Sequence, residues 1–245
     1  MQSESRFQYL VSYLVNDSVA IDAGCLGFGL PLARQKLVTD LFLTHCHMDH
    51  VASLPIFLDN VYEYGPHCVT IHGCDQTLAV LQQDMLNDRL WPDFVSLSTP
   101  ASPFLKMNQM TGWQPVHVAN LKITPLPLLH VVPTCGFLIE DHDSAIAIIS
   151  DTHQGAGIWA FLASVSNLRA VLLECSFPDQ LDWLANKAMH LTPRSFATES
   201  AHLPAAVRII AIHIKPGWYD TIVQELAALN RPNVEIAEVG TEYQF

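Results

Sequence analysis

Residues 44–50 of the chain gather side chains that can bind metal ions. The segment reads THCHMDH and follows directly on the apolar run VTDLFL. Two histidines separated by one residue can converge on one ion in a loop just past a strand, whereas the Asp-His pair after them points elsewhere as the chain turns into a helix. One short segment can therefore serve two ions. Neutral imidazole with a carboxylate favours zinc, with manganese or iron as alternatives, over calcium or magnesium.

The alternative interpretation of this segment is a solvated turn. Four ligand-type residues in this order after a buried strand are unusual for such a turn, and their spacing is typical of zinc motifs. We therefore prefer a metal site. Its other ligands must come from distant parts of the chain, and the candidates are His130, Asp151 and His213. Two further histidines, His72 and His117, lie inside strand-like runs and are assigned no function.

The composition predicts a globular chain with a large core. The 245 residues are 50% hydrophobic and 15% charged, which excludes a disordered protein. Lys and Arg number 12 against 24 Asp and Glu, and the formal net charge is -12. Because there is no cluster of Lys or Arg, a long nucleic acid is not expected as a partner. A small phosphate ester held by metal ions is compatible with this charge.

Three observations bear on the cellular location. The first residues, MQSESRFQYL, resemble the opening of a strand and not a signal peptide. No segment has the roughly 18 uninterrupted apolar residues of a membrane helix. Six scattered cysteines without a CxxC pair favour free thiols in a reducing compartment. We therefore expect a cytoplasmic protein with no membrane segment, and a leader removed earlier is the alternative.

A recurring pattern along the chain is an apolar strand that ends in a polar residue. One predicted strand covers VSYLVNDSVAIDAG, and further strands are VTDLFLTH, LKITPLPLLH, SAIAIISDT, LRAVLLE and VRIIAIHI. Their unbroken Val, Ile and Leu runs indicate strands buried on both faces, as in two sheets covered outside by helices. Helical spacing occurs in MDHVASLPIFLDNVYEYG, CDQTLAVLQQDMLNDRL and YDTIVQELAALN. Gly112 and Pro204 are interpreted as marking loops and not a domain boundary. Polar residues at several strand ends suggest one site at one rim.

The metal motif resembles the H-x-H-x-D-H motif of the metallo-β-lactamase fold, and AIDAGC resembles that fold's early strand. The resemblance implies an α/β four-layer αββα sandwich, taken here as one domain over residues 1–245. It also implies two divalent ions, for which we expect zinc, with Mn²⁺ or Fe²⁺ as alternatives. One ion would be bound by His45, His47 and His130. The other would be bound by Asp49, His50 and His213, and Asp151 would bridge both.

Nearly the whole chain is similar to class II cyclic-nucleotide phosphodiesterases. The similar blocks are HCHMDHVASLP, LWPDF, VVPTCGFLI, ECSFPDQLDWLANKAMHLTP and IHIKPGWYDTIVQEL. Two departures are SDTHQ, where Gly often follows Asp-Thr, and Cys135, where Ser is common. The resemblance implies hydrolysis of 3′,5′-cyclic nucleotides such as cAMP or cGMP to 5′-monophosphates. A hydroxide shared by two ions would be the nucleophile, since coordination lowers the pKa of water towards about 7.

The leaving group of this reaction, a ribose 3′-alkoxide, is poor unless it is protonated. We predict that His190 is the proton donor, because its block MHLTP resembles the donor segment of related phosphodiesterases, including tRNA 3′-processing enzymes. Glu174, at a strand end, is predicted to accept a hydrogen bond from His190 and raise its pKa. The alternatives are a strand-end carboxylate exposed to water for Glu174 and a capping histidine for His190. Asp49 is counted as catalytic as well as metal-binding. Trp91 and Phe94 could stack on a purine, but aromatic residues beside Pro92 are more often packing residues, so base recognition is unassigned.

Other functions of the same fold are less consistent with the sequence. A tRNA-processing nuclease would be expected to carry a basic surface, and a lactamase or thioesterase leaves the HLTP block unexplained. A diiron redox protein would have a carboxylate in place of His47, and a zinc scaffold without activity should lack a ligand. We expect a small-molecule phosphodiester as the partner. The preferred nucleotide, the native metal and homodimer formation are left open.

Overall fold

The computed structural model describes residues 10–245, which form two compact units. The N-terminal unit comprises residues 10–111, and the C-terminal unit comprises Gly112–Phe245. The chain thus passes from one unit to the other at a glycine that the sequence marks as a loop. A single domain over residues 1–245 stays a prediction. The strand predicted at the start of the chain falls partly on residues 1–9, outside the described residues.

The N-terminal unit contains a five-stranded sheet. Its strands, in sheet order, are β1 (Tyr13–Val15), β2 (Val19–Ile21), β3 (Asp40–Phe42), β4 (Val69–Gly73) and β5 (Leu105–Gln109). Strands β1 and β2 are antiparallel, and the remaining neighbours are parallel. The helices are α1 (Leu26–Gly29), α2 (Leu32–Gln35), α3 (Met48–Val51), α4 (Leu54–Val61), α5 (Asp75–Val80), continued by a π-helical turn (Leu81–Met85), and α6 (Phe94–Leu97).

The run VSYLVNDSVAIDAG is a hairpin, so the prediction of one continuous strand is wrong. Asn16, Asp17 and Ser18 separate β1 from β2, and the φ angles of Asn16 and Asp17 are 47° and 61°. Positive φ angles let the chain reverse direction tightly, and Asn and Asp tolerate this region best among non-glycine residues. The turn doubles the chain back, so that β2 enters the sheet beside β3.

The core of the N-terminal unit forms between α4 and the sheet. Leu54, Phe57 and Leu58 lie at helical spacing on one face of α4 and are fully buried. They belong to the same apolar cluster as Leu41 and Ile71, from β3 and β4. Full burial of such a side chain contributes about 1.5–3 kcal/mol. This packing fixes the strand that leads into the metal motif.

The C-terminal unit contains a seven-stranded sheet. Its strands are β6 (Val116–Val118), β7 (Leu121–Leu128), β8 (Thr134–Glu140), β9 (Ala145–Ile149), β10 (Leu168–Glu174), β11 (Arg208–Ile212) and β12 (Val234–Ile236). The sheet order is β12-β11-β10-β9-β8-β7-β6. The neighbouring pairs from β9 to β12 are parallel, and the neighbouring pairs from β6 to β9 are antiparallel.

Four helices accompany this sheet, namely α7 (Trp159–Ser164), α8 (Asp182–Ala188), α9 (Pro193–Ser200) and α10 (Tyr219–Ala228). Short 3₁₀ turns (Asp179–Leu181 and Pro216–Trp218) precede α8 and α10. Helices α7, α9 and α10 place Leu162, Phe196 and Ile222 in a buried cluster that also holds Val171 and Ile209 from the sheet. The predicted runs of Val, Ile and Leu are therefore strands covered by helices.

Strand direction explains which polar residues meet. Strands β9, β10 and β11 are parallel, so their carboxyl ends share one edge of the sheet. Strand β7 runs in the same direction as β9, because both are antiparallel to β8. Residues at or just beyond these four ends therefore lie at one edge, and they are His130, Asp151, Glu174 and His213. In the N-terminal unit, β2 and β3 likewise bring Asp22 and Thr44 to one edge.

Within residues 10–245, every helix falls short of the length and apolarity that crossing a membrane requires. The six cysteines all lie in this part of the chain, and no disulfide joins any two of them, in agreement with the prediction. Burial raises the pKa of the Cys175 thiol well above its ordinary value, so this side chain behaves as a small apolar group.

His72 is a buried structural histidine that joins three strands. Its Nδ1 accepts a hydrogen bond from the Asn108 side-chain amide (2.9 Å), so its Nε2 carries the hydrogen and donates to Asp40 (2.9 Å). Its ring stacks on Phe42 with the centroids 4.1 Å apart. Burial by itself would raise the pKa of Asp40, but the hydrogen bonds from His72 and Thr39 outweigh it and lower the pKa. The hydrogen bond between Asp40 and His72 joins β3 to β4 just before the metal motif.

We expect Asp40→Asn to lower the free energy of unfolding by about 1 kcal/mol at neutral pH. The pKa of Asp40 is lower in the folded state, so its ionised form adds stability above the unfolded value near 3.8, and that stability is lost as the pH falls through the folded pKa. Urea unfolding of the metal-free proteins between about pH 3 and pH 7 measures the difference. The exposed Asp59→Asn is the control. A difference independent of pH would contradict this account.

Candidate metal centre

The N-terminal histidine cluster consists of His45 and His47, which follow β3, and Asp49 and His50, which lie in α3. His45 and His50 are fully buried. The ring centroid of His45 lies 4.5 Å from that of His47 and 4.2 Å from that of His50. His50 Nε2 lies 3.8 Å from Asp49 Oδ2. The predicted ligands of this segment therefore lie close together within one turn of chain.

Asp22 is a fully buried carboxylate that fixes this cluster through hydrogen bonds. It accepts hydrogen bonds from the Thr44 amide (2.8 Å), from the Thr44 hydroxyl (2.9 Å) and from His50 Nδ1 (2.7 Å). An ionised carboxylate can only accept, so Nδ1 of His50 carries the hydrogen. Nε2 is then the nitrogen with the lone pair, as in the carboxylate–histidine–metal arrangement of known metal sites.

The Thr44 hydroxyl fixes His45 in the same way. It has one hydrogen, which it donates to Asp22, and it therefore accepts a hydrogen bond from His45 Nδ1 (2.9 Å). His45 thus also presents Nε2 as its lone-pair nitrogen. A single buried carboxylate sets the tautomer of two candidate ligands, one directly and one through a hydroxyl group.

The loop after β2 braces the metal motif through its backbone. The Ala23 amide donates to the His50 carbonyl (2.7 Å), and the Val11 amide donates to the Asp49 carbonyl (2.8 Å). A Cβ atom on Gly24 would lie only 2.0 Å from the Asp49 carbonyl oxygen. Glycine is therefore required at this position, because any side chain would push the ligand turn away.

The C-terminal histidine cluster consists of His130, Asp151, His190 and His213. Their side chains are at most 9% exposed. The three Nε2 atoms face the two oxygens of the Asp151 carboxylate. The distances are 3.5 Å from His213 to Oδ1, 3.8 Å from His130 to Oδ2 and 4.0 Å from His190 to Oδ2. Ligand atoms of Asp151, His190 and His213 all lie within 4.8 Å of one another, close enough to hold an ion.

These donors fit a divalent metal ion. The separations exceed those of good N–H···O hydrogen bonds. Two ligands bound at about 2.0–2.1 Å around a tetrahedral ion lie roughly 3.3–3.4 Å apart, close to the observed distances. Imidazole nitrogen with carboxylate oxygen suits zinc, manganese or iron. His213 and His130 face different oxygens of Asp151, so the carboxylate could serve two ions at once.

Glu174, fully buried at the end of β10, binds His190. Its Oε1 accepts from His190 Nδ1 (2.7 Å) and from the Thr152 amide (2.8 Å), while its Oε2 accepts from the Ser176 hydroxyl (2.7 Å). The sequence left open whether this carboxylate faces water. In the structure it faces the histidine that we predicted as its partner.

Ser176 repeats the role of Thr44 in the other unit. Its hydroxyl donates to Glu174 and accepts a hydrogen bond from His213 Nδ1 (2.8 Å), so His213 presents Nε2 towards Asp151. His213 has a φ angle of 59°, which is uncommon for a residue other than glycine. No role was predicted for Asp22, Thr44 or Ser176. Thr44 and Ser176 each lie within two positions of a strand-end ligand or carboxylate, but this spacing is too common to single them out.

The surroundings of His190 favour its protonated form. Burial would lower its pKa, but the charge of Glu174, the hydrogen bond to Glu174 and the charge of Asp151 together raise the pKa above its ordinary value of 6.5. The charge of Lys215 acts in the opposite direction. Since Nδ1 donates to Glu174, the second proton of the imidazolium lies on Nε2.

Three aromatic or histidine residues considered in the sequence, Phe94, His153 and His117, are not part of either histidine cluster. Phe94 is buried and stacks on Phe104 with centroids 4.6 Å apart, so it is a packing residue as interpreted. His153 is half-buried, and its Nε2 bonds to the Asn186 side chain (2.8 Å), away from the C-terminal histidine cluster. His117 lies at an exposed position of β6.

The architecture is that of the metallo-β-lactamase fold. The chain matches the metallo-β-lactamase fold protein YhfI from Bacillus subtilis with a TM-score of 0.72 and 18% identity, over 97% of this chain and 92% of that one. This likeness establishes the fold alone. It agrees with the predicted α/β class and with the presence of two sheets.

The chain belongs to the family described as class II cAMP phosphodiesterases, whose family model matches residues 32–211. It is similar to 3′,5′-cyclic-nucleotide phosphodiesterase 1 of Saccharomyces cerevisiae, with 26% identity over 78% of this chain and 62% of the yeast protein. It is also similar to a probable 3′,5′-cyclic-nucleotide phosphodiesterase of Yersinia pestis, with 25% identity over 96% of this chain and 84% of that protein. The match thus spans less than two thirds of the yeast relative.

We expect Ser176→Ala to weaken zinc binding about 10- to 100-fold, because His213 loses the partner that sets its tautomer. Thr44→Ala should act similarly through His45. Competition with a chromophoric zinc chelator measures the affinity, and circular dichroism checks the fold. The control is Ser164→Ala, since this exposed hydroxyl bonds only to a nearby carbonyl of its own helix. Unchanged zinc affinity in a folded Ser176→Ala protein would refute the positioning role.

Proposed function

We propose that the protein is a metal-dependent phosphodiesterase that hydrolyses 3′,5′-cyclic nucleotides to 5′-monophosphates. Family membership and the names of two relatives support this substrate class. The observation that carries the proposal is the Asp151 carboxylate, which faces three histidines beside a buried Glu174–His190 pair. A tRNA-processing role is disfavoured because the net charge is -12 and no basic cluster is present in the sequence.

In this proposal the N-terminal and C-terminal histidine clusters together bind two divalent ions, for which we propose zinc. His45, His47 and His130 would hold one ion, and Asp49, His50 and His213 the other. Asp151 would serve both, in keeping with its two oxygens facing different histidines. When bound, such ions supply an activated water and neutralise phosphate oxygens.

His190 is proposed to protonate the leaving 3′ oxygen. Its Nδ1–H bond to Glu174 holds the ring in place and stabilises the imidazolium, so that Nε2 is the nitrogen that can donate. As the bond between phosphorus and the 3′ oxygen breaks, the proton moves from Nε2 to that oxygen, and His190 is left neutral. Asp49, at the N-terminal cluster, stays a proposed catalytic residue through its ligand role.

The substrate class is tested with cAMP, cGMP, bis(p-nitrophenyl) phosphate and a β-lactam, each with added zinc or manganese. We expect hydrolysis of at least one cyclic nucleotide to its 5′-monophosphate, loss of activity with a chelator and recovery when metal is restored. Failure to hydrolyse any phosphodiester with metal bound would refute the proposal. Turnover of the β-lactam alone would place the protein among the lactamases of this fold.

We expect His190→Ala to reduce cyclic-nucleotide turnover by about 10² to 10⁴-fold, as removal of a general acid does. The loss should be smaller for bis(p-nitrophenyl) phosphate, because p-nitrophenolate leaves without protonation. Metal content should stay unchanged. The exposed His202→Ala is the control for loss of a histidine.

Two results would contradict the assignment of His190. Loss of bound metal would identify His190 as a ligand, which its 4.0 Å distance to Asp151 permits. An equal loss of activity towards both kinds of leaving group would show that His190 does not act as the acid. Glu174→Gln, which keeps a hydrogen-bonding side chain but removes the charge, should give an intermediate loss.

A further inference from the structure

Lys215 is a half-buried cation next to the C-terminal histidine cluster. It lies two residues beyond His213, where the chain leaves β11. Its Nζ lies 5.4 Å from the ring centroid of Phe177. Among the described residues, no carboxylate forms an ion pair with this ammonium group. Five of the eleven lysines and arginines among residues 10–245 form ion pairs with carboxylates, and Lys215 does not, so its charge is available to an anionic ligand.

Ring contacts connect Lys215 to the proposed proton donor. The Phe177 centroid lies 5.7 Å from that of His190, and His190 stacks on His213 at 5.6 Å with 17° between the planes. Phe177 is 7% exposed, so its ring gives the lysine stem a fixed apolar surface.

We propose that the Lys215 ammonium group binds a phosphate oxygen of the reacting ester and of its monoester product. The inference rests on the proposed function, because it places a phosphate beside His190. Lysine is a compact point charge that commonly binds phosphate. A monoester carries a charge of about −1.5 to −2 at neutral pH, whereas a diester carries a single charge. Lys215 should therefore hold the product more tightly than the substrate.

The chain contains a matched lysine for comparison. Lys187, on α8, also lies over an aromatic ring, with its Nζ 5.6 Å from the Trp183 centroid. It is exposed, and its charge is not among the causes that shift the pKa of His190. Removal of either lysine changes the net charge equally. Only Lys215 stands beside the proposed phosphate site, so only its removal should alter phosphate binding.

The test is calorimetric titration of inorganic phosphate into zinc-loaded protein from which free zinc has been removed. We expect Lys215→Met to bind phosphate about 10- to 100-fold more weakly than the wild type, the usual effect of losing a charged hydrogen bond. Lys215→Arg keeps the charge and should stay within about fivefold. Lys187→Met should match the wild type. Zinc content and circular dichroism establish that each variant is folded and loaded.

Three outcomes would overturn the proposal. They are wild-type protein that binds no phosphate, Lys215→Met with wild-type affinity, and Lys215→Arg as weak as Lys215→Met, which would indicate packing and not charge. The titration needs no turnover, so its result is independent of whether cyclic nucleotides are hydrolysed. If they are, Lys215→Met should raise the inhibition constant of a 5′-monophosphate more than the KM of the cyclic substrate.

Discussion

Two buried carboxylates, Asp22 in the N-terminal unit and Glu174 in the C-terminal unit, each hold one histidine cluster in place. Each is fully excluded from solvent, which is unfavourable for an ionised group unless hydrogen bonds replace its hydration. Each receives a backbone amide, a hydroxyl and an imidazole. These donors satisfy the carboxylates only when strand ends and side chains adopt one arrangement. The requirement to satisfy two buried charges therefore makes both histidine clusters rigid.

The two units use the same chemical arrangement on unrelated sequence. In each, one carboxylate binds a histidine directly and a second histidine through a hydroxyl group, Thr44 in one unit and Ser176 in the other. A hydrogen bond to a carboxylate does not by itself decide what the histidine does, because His50 and His190 each make such a bond but are assigned different roles. The group that faces Nε2 decides, since a metal ion requires the lone pair there and an alkoxide requires a proton.

The features that could be predicted from the sequence are those that a local pattern of residues marks. The motif of residues 44–50 is contiguous, and a polar residue at the end of an apolar run indicates a strand end, so Glu174 could be paired with His190 in advance. The hairpin at Asn16 was missed because apolar residues continue on both sides of the turn. Thr44 and Ser176 were missed because a hydroxyl beside a ligand has no distinctive spacing. The fold followed from resemblance, since periodicity does not specify strand order.

Charge explains why such a site needs cations of its own. The chain is acidic overall, and each histidine cluster has two carboxylates, Asp22 and Asp49 in the N-terminal unit and Asp151 and Glu174 in the C-terminal unit. Without cations these groups would repel a phosphodiester. Two divalent ions would offset the four carboxylates, and protonated His190 with Lys215 would then make the surroundings of the phosphate positive. Bound metal would thus turn a site that repels anions into one that attracts them. Lys215 would add positive charge where the monoester product carries its additional negative charge.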